Sequence, residues 1–153
     1  MWRNFKKYRG QPREDRALIR EAFYLLMYFR ASTLLIHFKY LTRSLTHSAH
    51  AVEAPPLNGR SLENAVKIGK FVARVGRHTP WKSPCLTQVL ATQQMLAARR
   101  IPGVFFLGVH KETETPSQIT KLDAHAWLKC GTEIVNGKSG HERFTVVSSW
   151  SWQ

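Results

Sequence analysis

Residues 79–111 read TPWKSPCLTQVLATQQMLAARRIPGVFFLGVHK, and the period of the pattern changes halfway along. Ser83 is a favourable N-cap and Pro84 suits a first helical position, so a helix is predicted to open with Cys85 in its first turn. Leu86, Val89, Leu90 and Leu96 give that helix one apolar face. Past the Ile101-Pro102-Gly103 turn, GVFFLGVHK is a short apolar run with β-branched and aromatic residues, which reads as a strand. A buried helix feeding a strand through a tight turn decides the class of fold, and it places a thiol at a helix start.

Upstream, residues 14–46 carry a helical stripe through Leu18, Ala22, Phe23, Leu26 and Phe29, continued by Leu34, Leu35, Phe38 and Leu41. HSAHAVEAPPLNGRS, residues 47–61, breaks the pattern with a proline pair and Asn-Gly. Ser61 then reads as the cap of a helix whose stripe is Ala65, Ile68, Phe71, Val72 and Val75. Downstream, AHAWLKC, TEIVNG and RFTVVSSW are strand-like, with a turn at Gly131-Thr132. Helices followed by a small antiparallel sheet predict an α+β fold. The length, 153 residues, suits one domain spanning 1–153, with a basic helical N-terminal lobe over 1–50 and a second region over 62–153. Residues 1–13, basic and aromatic, read as a lead-in arm.

Hydrophobic residues make up 43% of the chain, which is globular composition, and two cysteines are too few for a disulfide scaffold. With no signal-peptide pattern, a reducing cytoplasmic setting is expected, with both thiols free. The longest uncharged runs near the N terminus, AFYLLMYF and ASTLLIHF, are far short of the roughly 20 apolar residues a membrane span needs, so membrane contact is not expected. Net charge is +13, concentrated towards the N terminus, where ten Lys or Arg in residues 1–50 oppose Glu14, Asp15 and Glu21. Such a surface favours acidic partners. No zinc-finger, basic-zipper or RNP-like motif accompanies the charge, so nucleic acid is not the expected partner, although a basic non-enzymatic binding module for nucleic acid or anionic membrane is the competing reading. No phosphate-binding or dinucleotide loop is present, and no cofactor is expected. Cys85, His110, His125 and Cys130 lack metal-ligand spacing, so no metal is expected either.

The chemistry centres on Cys85. Unpaired N–H groups at a helix start favour an anion, hence the reactive thiolate, and can also receive an oxyanion. A thiolate needs a base, and His125 in LDAHAWLKCGTEIVNG can supply it. Trp127, two residues on, should share its face of the strand. Asn136 on the following strand could orient the imidazole, with Asp123 and Glu142 as rivals. Cys130, an odd number of residues from His125, should face the other way, into the core.

Taken in order, PCLTQVLATQQMLAARRIPGVFFLGV and AHAWLKCGTEIVNG resemble the transglutaminase-like, papain-type thiol hydrolases. More narrowly, they are similar to the stand-alone leader peptidases of lasso-peptide biosynthesis, over roughly residues 62 to 150. The resemblance implies a thiol-peptidase core over 62–153, with Cys85 as nucleophile and His125 as base. The third position is normally Asp in that family, and Asn136 is its candidate here. The resemblance further implies a precursor (leader) peptide as substrate, a separate leader-recognition protein as partner, and a macrolactam cyclase acting on the released core.

Overall fold

The computed structural model describes residues 12–112 and 121–153, so almost all of the expected lead-in arm lies outside the described residues. In chain order the elements are α1 (Arg13–Leu35), α2 (Phe38–Leu41), β1 (Thr46–Ser48), α3 (Gly59–Gly76), α4 (Cys85–Ala97), β2 (Gly103–Glu112), β3 (Lys121–Cys130), β4 (Glu133–Asn136), a 3-10 turn (His141–Arg143) and β5 (Thr145–Trp152). The strands form one antiparallel sheet in the order β1-β5-β2-β3-β4. The fold is α+β.

The main core lies between the sheet and the helices. It joins Leu26 of α1, Ile68 and Val72 of α3, and Leu90, Met95 and Leu96 of α4 to Phe105, Leu128 and Trp150 of the sheet. Phe105 stacks on Trp150 with ring centroids 5.0 Å apart, and the Trp152 indole N–H donates to the Ile101 carbonyl at 2.9 Å. Both tryptophans near the chain end are therefore core residues. A second, smaller cluster of Val104, Phe106 and Trp127 lies on the opposite face of the sheet. Strand alternation produces this division: Phe105 and Leu128 pair towards the helices, Phe106 and Trp127 away from them.

Four local expectations need correction. The helix predicted over 14–46 stops at Leu35, where Ile36 turns extended (φ −123°, ψ 135°) and its N–H still reaches the Ser32 carbonyl. The chain then makes α2 and a short edge strand, β1, which sequence alone read as helix end and breaker. Ser61 does not cap α3. Asn58 does, its Oδ1 accepting from the Ser61 N–H at 2.8 Å, so the cap lies in the Asn-Gly pair. The fourth concerns the face of α1. Ala22, Leu26, Phe29 and Ser32 are buried, but Phe23, Leu34 and Leu35 point outward. Two ion pairs accompany that roll: Asp15 with Lys67 of α3 at 2.7 Å, and Glu21 with Arg99 just beyond α4 at 2.6 Å. The Glu21 hydrogen bond also raises Arg99 above its ordinary value.

Helix α3 lies flush against β4, because a Cβ at Gly69 would collide with the Val135 carbonyl. Gly69→Ala should therefore lower stability by about 2 kcal/mol or more by overpacking. Gly59→Ala, with open space around its Cβ, should be neutral or stabilising by up to about 1 kcal/mol. Denaturant titration of the two variants checks the pair. Burial also pushes the Cys130 thiol up from 9.0 to about 12. The folded state thus favours the protonated thiol; that contribution is complete below pH 9 and is lost as pH climbs towards 12. Cys130→Ala should flatten this part of the stability-versus-pH curve relative to the parent chain, measured by chemical denaturation across that range.

Candidate active site

Cys85 is the first residue of α4 and is half-buried against the main core. The helix starts one position later than the Ser-Pro pair suggested. Pro84 is the N-cap by backbone geometry, its carbonyl accepting the first helical bond from the Gln88 N–H at 3.1 Å. Ser83 is spent elsewhere. Its hydroxyl meets Thr79 Oγ1 at 3.0 Å, while Thr79's own proton is shared between the Gly76 and Trp81 carbonyls at 3.0 and 2.9 Å. Ser83 is therefore the donor to Thr79. Its carbonyl accepts from Gln88 Nε2 at 2.9 Å. The loop before the thiol is thus pinned to both α3 and α4, and among the described residues no side chain caps the first-turn N–H groups of α4.

The direction of α4 follows from two contacts. Thr92 bonds Asn136, which pairs with Leu128, and Ile101 bonds Trp152 near the Cys130 end of the sheet. The helix therefore runs alongside β3 in the same direction. From Thr92 back to Cys85 is seven residues, about 10 Å along a helix. From Leu128 back to His125 is three residues, about 10 Å along a strand. By these rises both residues fall about 10 Å back along the sheet from the Thr92–Asn136 contact.

They are not joined there. His125 shares the outward face of β3 with Trp127, its ring stacked on that indole at 5.9 Å and against Phe144 at 5.1 Å. Its Nε2 lies 2.8 Å from the Gly137 carbonyl. A carbonyl only accepts, so Nε2 carries the hydrogen and Nδ1 is the basic nitrogen of the neutral ring. No hydrogen bond links Cys85 to His125 among the described residues, and the helix-facing positions beside the histidine are Ala124 and Ala126. Of these Ala126 is buried in the main core and Ala124 is exposed.

Asn136 does not orient the imidazole. It is buried on the helix face, donating from Nδ2 to Thr92 Oγ1 at 3.2 Å, and Thr92 in turn donates to the Gln88 carbonyl at 2.8 Å. The bulge at Leu128/Lys129 turns Asn136 towards the helices. Glu142 is exposed and pairs with His141 at 3.3 Å, and Asp123 is exposed opposite His110. The orienting group is the Gly137 carbonyl, which sequence reasoning missed because a backbone oxygen has no residue-type signature. The available signal was Gly137 itself. Its φ is +72°, and a Cβ there would strike the Ala126 carbonyl, so the chain folds over His125 only with glycine at that position. Cys130 faces the main core, as its spacing implied. Trp81, just before the thiol, packs on Phe23 at 5.6 Å with its indole N–H buried and unpartnered. Among the described residues no group of three or more His, Cys, Asp or Glu could hold a metal ion.

Asn136→Ala should cost about 1–3 kcal/mol, because the buried Thr92 hydroxyl loses its donor. It should leave the His125 tautomer unchanged in a nitrogen-15 NMR experiment, whereas an Asn136 that oriented the ring would shift it.

A family model described as the transglutaminase-like superfamily matches residues 26–149. No curated protein and no solved structure matches the chain. The match covers most of the chain, both the α4 thiol and the β3–β4 hairpin included, and the chain belongs to that superfamily.

Proposed function

We propose that this member of the transglutaminase-like superfamily is a cysteine peptidase whose nucleophile is Cys85. The observation that carries the reading is the station of that thiol: first residue of a buried helix, partly accessible, with first-turn N–H groups that no side chain among the described residues caps. Helix-start donors of this kind stabilise an anion and suit the oxyanion of an acyl transfer. His125 Nδ1 takes the Cys85 thiol proton as the sulfur attacks the scissile carbonyl, the C–N bond breaks as the leaving amine takes that proton from the imidazolium, and a thioester remains. Water, activated by the same imidazole, then hydrolyses the thioester and restores the thiol.

His125 is proposed as that base from its place in the His-Ala-Trp run and because, among the described residues, Nε2 is fixed while Nδ1 makes no hydrogen bond. Cys85 and His125 lie on opposite faces of the sheet, so closing the pair requires the Ala124–Ala126 segment to leave its ladder with β2. With Asn136 committed to Thr92, the Gly137 carbonyl takes the role of third member: it fixes the tautomer without supplying charge.

For the substrate we propose the leader–core junction of a ribosomal lasso-peptide precursor, cleaved in the cytoplasm with a separate leader-recognition protein, before a macrolactam cyclase closes the core. The support is the ordered run of Cys-Leu at the helix start, the Ile-Pro-Gly turn, the Leu-Gly-Val strand and His-Ala-Trp, all within the matched span.

The test is cleavage of the co-encoded precursor in the presence of its recognition protein, followed by mass spectrometry. Cys85→Ala should abolish leader release with an unchanged melting curve. His125→Ala should lower the rate by about 10² or more. Leader release by Cys85→Ala at the parent rate removes Cys85 from the mechanism and with it the peptidase reading.

A further inference from the structure

The roll of α1 leaves an apolar and aromatic ridge uncovered. Phe23, Tyr24, Met27, Tyr28, Leu34 and Leu35 are all exposed, the last two at 66% and 83%. Their spacing places them on one side of a single helix, and Ile36 extends the ridge past its end. Contiguous apolar surface of this kind is uncommon on a monomer and marks a contact.

Charge selects the occupant. The carboxylates Asp15 and Glu21 are turned inward onto Lys67 and Arg99. Arg13 and Arg20 lie exposed at one end of the ridge, Lys39 and Arg43 beyond the other. A second copy of a chain carrying +13 would bring like charges together. Apart from Glu14 beside Arg13, the exposed charges bounding the ridge are cationic, which complements an anionic surface. Tyrosines beside an aliphatic tip, bounded by arginine and lysine, are what an interfacial helix presents to a bilayer. No helix among the described residues is long and apolar enough to cross a membrane, so the contact is with the surface.

We infer that the outer face of α1 docks on an anionic lipid surface, with the Leu34–Leu35–Ile36 tip among the acyl chains and the flanking cations at the phosphates. Each flanking cation adds attraction that falls with salt. This inference is independent of the chemistry at Cys85 and reverses the expectation that membrane contact is absent.

The test is flotation of the whole chain with vesicles of phosphatidylcholine plus phosphatidylglycerol, against phosphatidylcholine alone. Binding should require the anionic lipid, weaken with salt, and fall about tenfold or more in the Leu34→Glu/Leu35→Glu double variant, since two exposed leucines lose their apolar burial. Both positions are outside the core, so circular dichroism should be unchanged. As a second arm, Arg13→Glu/Arg20→Glu should weaken binding to the anionic vesicles alone. Absence of binding to the anionic vesicles, or equal binding by the leucine variant, overturns the inference. So does light scattering that finds a dimer the leucine variant dissolves, or a soluble acidic protein bound there with no affinity for vesicles.

Discussion

A buried amide–hydroxyl contact, Asn136 Nδ2 to Thr92 Oγ1, fixes how far α4 lies along the sheet, and the position of the thiol follows from it. The bond is one link in a line of polar groups. Thr92 passes to the Gln88 carbonyl, the Gln88 amide to the Ser83 carbonyl, the Ser83 hydroxyl to Thr79, and Thr79 to the last turn of α3. Sheet edge, nucleophile helix, loop and neighbouring helix are thereby tied in one network. Each donor sits in a half-buried or buried setting, where an unmade bond costs more than a made one contributes. That asymmetry holds the register of α4 more strictly than hydrophobic packing alone, which tolerates sliding by fractions of a turn.

The other face of the sheet shows the same economy with different parts. Trp127, Phe144 and the His125 ring pack together where Gly108 leaves room, since a Cβ there would meet the Trp127 ring and the Phe144 side chain. The chain leaving β4 crosses this cluster at Gly137 and bonds the imidazole as it passes. Turning His125 towards α4 would forfeit the Gly137 hydrogen bond, the contacts with both Trp127 and Phe144, and the ladder pairing of this β3 segment with β2.

How much of this was legible follows from the kind of interaction that decides each feature. The helix at Cys85, the strands after Gly103, the face shared by His125 and Trp127 and the opposite face of Cys130 are local consequences of period and turn chemistry, and the sequence displays them. The destination of Asn136 depends on a bulge between β3 and β4, a tertiary event with no residue signature. The capping error at Ser61 arose from reading Asn58-Gly59 only as a breaker, when the backbone path makes Asn58 the cap. Ser83 was misread for a related reason: its hydroxyl has a better offer from Thr79 across the loop. The face on which His125 lies relative to Cys85 was out of reach, since it rests on which side of the sheet the helices cover.

Helix α1 carries the same lesson to the surface. Its pattern of Leu18, Ala22, Leu26 and Phe29 fixes a core-facing stripe, yet Phe23 and Leu34 stand close enough to that stripe to be counted within it. Phe23 and Leu34 lie about 60° and 80° round the helix from Leu26, the nearest member of the stripe, less than the angle between adjacent residues of a helix. The Asp15–Lys67 and Glu21–Arg99 pairs both lie N-terminal to the buried residues Ala22 to Ser32. Each is partly exposed, and such pairs contribute little to stability. Their effect is directional: they draw Asp15 and Glu21 against the body, which leaves the outer side of α1 mainly to arginines, tyrosines and leucines, while the buried stripe of Ala22, Leu26 and Phe29 sets the roll itself.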